Sequence, residues 1–292
     1  MPFDIFAASF YLISRYEEYL PHQKDMYGRY AHENSLAFKE GFLNIPLVNI
    51  WVKDLVRSIQ DKFPELAFHY PIAIGSLFTF IPTYDIDIAY AYKYKGVARN
   101  LGGFFKSPNV ERIKVLCGFK KDPFDTYEWL YNLHERLSLK PVFFFLVAAQ
   151  NGLYDKNILP STKAMQELAN SHAKKYAVGL HPSWQTGEEN TLFKKEKEQL
   201  ERMCEKEINI TRQHYIRFNL ADGYNKLLEN GFADDYSMGY GSINGFRASV
   251  ASSFNWFDLA KNEVTNLRIY PFCFMEANSY YEQKITDRKS VV

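Results

Sequence analysis

The chain has 292 residues, 47% of them hydrophobic, which is enough to bury a full core as one large α/β domain or one domain with an appendage. Lysine plus arginine (35) nearly balance aspartate plus glutamate (34) and no cationic stripe stands out, so neither nucleic acid nor an anionic membrane is the default partner. The three cysteines, Cys117, Cys204 and Cys273, are odd in number and widely spaced, which argues against a disulfide framework or a cysteine-based zinc site. With no run of about 18 apolar residues and no secretory leader, the expectation is a cytoplasmic protein without membrane insertion.

Residues 5 to 20 carry apolar side chains at helical spacing, with Phe6, Phe10, Ile13, Tyr16 and Leu20 on one stripe, and Pro21 closes the run. A second helix is expected at 46 to 62, opened by Pro46 and stopped before Pro64. Neither helix holds a constellation of catalytic residue types, so both are read as packing elements. An abrupt start in an apolar helix also raises the expectation that an upstream domain is missing. The run Phe78 to Tyr84 has the composition of a buried strand and ends on two carboxylates, Asp85 and Asp87. Residues two apart on a strand share a face, so both point one way. Such a pair is either a solvated strand end or a site that a cation, proton or arginine compensates.

Asp122-Pro123 is expected to open a helix to Leu137, and Val142 to Ala149 reads as a strand covered on both faces. A helix at 161 to 175 leads to a short strand at 176 to 180 that ends on His181. A charged helix at 191 to 207, with Leu192, Phe193, Leu200 and Met203 as its seam, precedes a strand at 208 to 212. A further helix at 222 to 229 ends on Asn230-Gly231, and a last strand is expected at 267 to 274. Strand and helix in alternation imply a parallel α/β sheet or barrel, whose chemistry sits at the carboxyl ends of the strands.

Three strand ends supply Thr83-Tyr-Asp-Ile-Asp87, Gly179-Leu-His-Pro-Ser-Trp184 and Arg212-Gln-His-Tyr215. In this order they resemble the motifs of the polysaccharide deacetylases, carbohydrate esterase family 4, and among these the deacetylase-like proteins of Bacteroidetes. The resemblance runs from about 78 to 275, through Asp234 to Tyr240, Gly245-Phe-Arg-Ala248 and Phe257-Asp-Leu259. It implies a distorted (β/α) barrel over 71–292 behind an N-terminal helical extension, 1–70, and a metal-dependent hydrolase that removes acetyl groups from an acetylated polysaccharide or oligosaccharide. By position in the family motifs, Asp85 is the general base, Asp87 a ligand of a divalent metal, usually zinc, Arg212 the residue that holds the base, and Tyr215 the donor of a backbone N–H to the oxyanion. Trp184, Tyr240 and Arg247 are the expected substrate contacts.

This chain also departs from the family pattern. The family's second motif has two histidines four residues apart, whereas His181 is followed at that spacing by Gln185, a poor zinc ligand. His214 stands where the family has proline, and it is read either as the missing nitrogen ligand, giving Asp87, His181 and His214, or as a hydrogen-bonded structural residue. No histidine follows His214, although the family delivers its general acid from a late strand. A barrel stopped before its closing element is therefore expected, and the alternative function is a deacetylase-like carbohydrate-binding or scaffold protein that has lost catalysis.

Overall fold

The computed structural model describes residues 3–66, 79–106, 108–187 and 189–285. The expected strand start at Phe78, the 70/71 boundary and the stretch from Asp287 to Val292 lie outside them. The chain falls into two compact units, residues 80–214 and residues 1–79 together with 215–292.

The second of these begins with helix α1, Ile5–Ile13, whose first turn is capped by Asp4 through the N–H groups of Phe6 and Ala7, each at 3.0 Å. The helix stops well short of residue 20, because Arg15 takes a left-handed φ of 55°. The expected stripe is not a packing face: Phe6, Phe10, Tyr16 and Leu20 are exposed. The pattern is overridden by burial of Arg15 itself. Its guanidinium meets Glu17 at 2.7 Å, Glu18 at 2.7 Å, the Tyr240 hydroxyl at 3.3 Å and the carbonyl of Arg247. Arg247 in turn donates to both oxygens of Glu18, at 2.9 and 2.5 Å, and to the carbonyl of Gly239 at 3.1 Å. Burial alone would raise the Glu18 carboxyl, but Arg247 and Arg15 outweigh it and push it down to about 2. Helix α2 is Leu36–Lys39, and α3, Leu47–Lys62, runs from Pro46 to just short of Pro64 as expected.

In the unit of residues 80–214 the order is β1 (Thr83–Ile86), α4 (Val97–Lys106), α5 (Val110–Leu116), α6 (Tyr127–Arg136), β2 (Val142–Leu146), α7 (Lys163–Lys175), β3 (Ala177–His181), α8 (Asn190–Cys204) and β4 (Ile210–Thr211). The strands pair in parallel in that order, with β2 buried along its whole length between β1 and β3. Helices connecting parallel strands are the α/β organisation read from the sequence. The expected helix start at Asp122 is not where α6 begins. The Asp122 carboxylate instead accepts from the N–H groups of Ala91, Tyr92, Lys93 and Phe124, at 2.8 to 3.0 Å, and so ties down the chain that follows β1.

The remaining elements belong with the N-terminal segment: α9 (Leu220–Glu229), β5 (Asp234–Asp235), β6 (Phe254–Asp258) and β7 (Glu263–Ile269). The last strand ends before Pro271 instead of reaching 274, since proline offers no N–H to a ladder. It pairs in parallel with β5 on one side and antiparallel with β6 on the other.

Candidate metal centre

Strand register sets the site. Asp85, Phe144 and Gly179 lie abreast on β1, β2 and β3. A Cβ at Gly179 would come within 2.7 Å of the Phe144 ring and 2.9 Å of the Ile210 carbonyl, so glycine is needed for the ring to lie flat there. The Arg212 guanidinium rests over that ring, 4.7 Å from its centroid, and reaches Asp85 Oδ1 at 3.1 Å. The glycine of the second motif thus shapes the shelf on which the arginine of the third meets the first aspartate.

His181 closes β3, and its Nδ1 lies 2.6 Å from the Arg212 carbonyl. A carbonyl only accepts, so Nδ1 carries the proton and the neutral ring presents the Nε2 lone pair. That Nε2 lies 3.2 Å from Asp87 Oδ1 and 3.9 Å from Asp85 Oδ2. His214 is fixed the same way by a residue the motif reading missed: its Nδ1 donates to Asp155 Oδ1 at 3.2 Å, leaving Nε2 3.7 Å from Asp87 Oδ1. One ligand atom from each of Asp87, His181 and His214 lies within 4.8 Å of the others.

Asp155 is buried and accepts two further bonds, from the Trp184 N–H at 2.9 Å and from Gln185 Nε2 at 3.1 Å. Gln185 therefore braces the carboxylate that braces His214. Two residues on, the buried Asn157 donates to the carbonyls of Ile86 and Leu146 at 2.6 and 3.0 Å and accepts from the Ala89 N–H at 2.9 Å. It brackets Asp87 on both sides. Asn157→Ala leaves these buried backbone groups unsatisfied, and the expected loss is about 1–3 kcal/mol in a urea denaturation. An unchanged midpoint would show that water replaces the amide. Behind the site, buried Glu196 of α8 accepts from the Ser183 N–H at 2.8 Å, and burial, with Asp155 adding to it, pushes its carboxyl up to about 7.

A cation fits these residues. The Asp87 side chain is 48% exposed, yet its Oδ1 is shut off from solvent and, among the described residues, faces the Nε2 atoms of His181 and His214 at 3.2 and 3.7 Å. A tetrahedral zinc site with bonds of 2.0–2.1 Å separates its ligand atoms by about 3.3 Å; Asp87 Oδ1 lies 3.2 and 3.7 Å from the two histidines, and the set as a whole lies within 4.8 Å. The titration tendencies agree in sign. Burial would raise Asp87, but His181, His214 and Arg212 hold it below its ordinary range; burial would lower His181, but Asp85 and Asp87 raise it.

Of the other expected site residues, Trp184 stacks on Tyr154, ring centroids 4.0 Å apart. Tyr215 takes a left-handed φ of 58°, and its carbonyl accepts from Arg29 at 3.0 Å. Tyr240 and Arg247 are buried with Arg15 and Glu18, as described, so what they touch is an internal ion network and not a groove.

Residues 1–64 match a family of unknown function, DUF7033. No curated protein matches. Among solved structures the chain is similar to a presumed polysaccharide deacetylase from Mycobacterium smegmatis, at 13% identity and a TM-score of 0.39 over 65% of this chain. The match spans 56% of that protein's length.

Proposed function

We propose that the chain is a metal-dependent hydrolase of the polysaccharide deacetylase type, built on that family's barrel, which removes acetyl groups from an acetylated oligo- or polysaccharide with zinc at Asp87, His181 and His214. One observation carries the reading. A solvent-shielded Asp87 Oδ1 and the Nε2 atoms of His181 and His214 converge beside an aspartate held by an arginine. Zinc bound there supplies a water of lowered pKa and polarises the acetyl carbonyl.

The chain's own residues do the rest. Arg212 holds Asp85 by its Oδ1 and aims it, with Oδ2 3.9 Å from His181 Nε2, so that Asp85 accepts the proton of the attacking water. The proton taken up by Asp85 is then the one at hand for the leaving amine or alcohol. The Trp184–Tyr154 stack offers a flat apolar surface for a sugar ring.

The purified chain should carry a stoichiometric divalent metal by elemental analysis and release acetate from an acetylated chito-oligosaccharide; chelation should stop release and zinc restore it. Gln185, a poor zinc ligand standing four residues after His181, favours a second reading, a deacetylase-like binding protein. That reading is supported by metal and oligosaccharide binding without any acetate. A chain that binds no metal at all would sink the assignment.

A further inference from the structure

No helix among the described residues is long and apolar enough to cross a membrane. The near-neutral total nevertheless hides a local excess of charge. Between Lys93 and Lys121 the sequence has eight lysines and arginines and one acid, Glu111, a net +7 in a chain whose total is +1. The same segment holds α4 and α5. Val97, Leu101, Phe104 and Phe105 share one face of α4, spaced i, i+4, i+7 and i+8, while Val110, Ile113 and Leu116 share one face of α5. These faces stay uncovered: Val97 is 76% exposed, Phe105 81%, and Phe119, just beyond α5, 84%. An apolar groove of about 590 Å³ lies between the two helices, lined by Tyr94, Leu101, Phe104, Ile113 and Leu116 among others.

Part of the positive charge is already committed. Arg99 donates to the carbonyls of Lys156 and Asn157, Arg112 to that of Asn100, and Lys120 and Lys121 have acidic neighbours. Lys93, Lys106 and Lys114 make no ion pair among the described residues, while burial, with Arg99 adding to it, pushes the Lys95 ammonium down to about 8. An aromatic and aliphatic face fringed by lysines is the composition of an interfacial amphipathic segment, in which rings enter the acyl boundary and ammonium groups meet anionic headgroups. We propose that α4, α5 and the turn to Phe119 dock the protein on an anionic lipid surface.

Charge complementarity decides between occupants. A second copy docked through this face would set one positive patch against another. Nucleic acid would use the lysines and rings but would leave Val97, Leu101, Val110, Ile113 and Leu116 facing a polar backbone.

The test is flotation of the full chain with vesicles of phosphatidylcholine alone and with about 30 mol% phosphatidylglycerol, where binding should rise about ten-fold or more with the anionic lipid and fall at high salt. Phe105→Ser with Phe119→Ser should lose most of the bound fraction with an unchanged melting temperature, and Lys106→Glu with Lys114→Glu should do the same by removing charge. Acetate release from a soluble oligosaccharide should not change in either variant. Equal binding to both vesicle types, no binding to either, or unaltered binding of both variants overturns the proposal. So does binding of a short RNA, or self-association through this face, without vesicle binding.

Discussion

On the proposed function, Asp85→Asn should lower the rate of acetate release by about 10²–10⁴-fold, the range that a positioned general base contributes, and leave metal content near that of the parent chain. The two first-motif aspartates differ in what they face. Asp85 gives Oδ1 to Arg212 at 3.1 Å and holds Oδ2 3.9 Å from His181 Nε2, whereas Asp87 places a solvent-shielded Oδ1 3.2 Å from that nitrogen. Asparagine keeps the shape of Asp85 but cannot take a proton, so the loss falls on the step in which the water's proton moves and shows in kcat. Asp87→Asn should show the opposite pattern, with metal lost first and activity lost as a consequence. Metal loss with Asp85→Asn but not with Asp87→Asn would exchange the two roles.

The residues that converge in the unit of 80–214 were legible because each follows a buried apolar run, and parallel strands gather their carboxyl ends. The same rule applied to β2 points to the loop after it, where Asp155 and Asn157 lie. That loop matches no motif, and only the fold shows that its side chains reach back to His214 and to the chain around Asp87. Helical periodicity misplaced the end of α1, because it has no term for a buried arginine. The left-handed turn at Arg15 depends on Glu18, Tyr240 and Arg247, and the last two are more than 200 residues away, at positions 240 and 247. Strand β6 escaped notice since Phe254–Asp258 lacks a clean alternation of apolar and polar residues.

His214→Ala should weaken zinc binding about as much as His181→Ala, each by more than the roughly 10–100-fold that loss of an outer partner costs, while Asp155→Asn falls within that range and Gln185→Ala below it. The order follows from how each proton is placed. His181 is oriented by a main-chain carbonyl, which no substitution at another residue removes directly. His214 depends on a side chain: Asp155 accepts its Nδ1–H, and an asparagine there can turn its NH₂ towards Nδ1, which moves the ring proton to Nε2 and blocks the lone pair that faces Asp87. Gln185 holds only the far oxygen of Asp155, and the Trp184 N–H holds the near one without it, so the carboxylate keeps its aim when the amide is lost. Competition with a zinc-sensitive dye gives the affinities, and the ¹⁵N shifts of His214 report the tautomer independently of any activity. Affinity should also fall as the pH drops, since protons compete for ligand nitrogens and Asp85 and Asp87 raise the tendency of His181 to hold one. If Gln185→Ala costs as much as His214→Ala, the amide is a ligand and His214 belongs to the scaffold around Arg212.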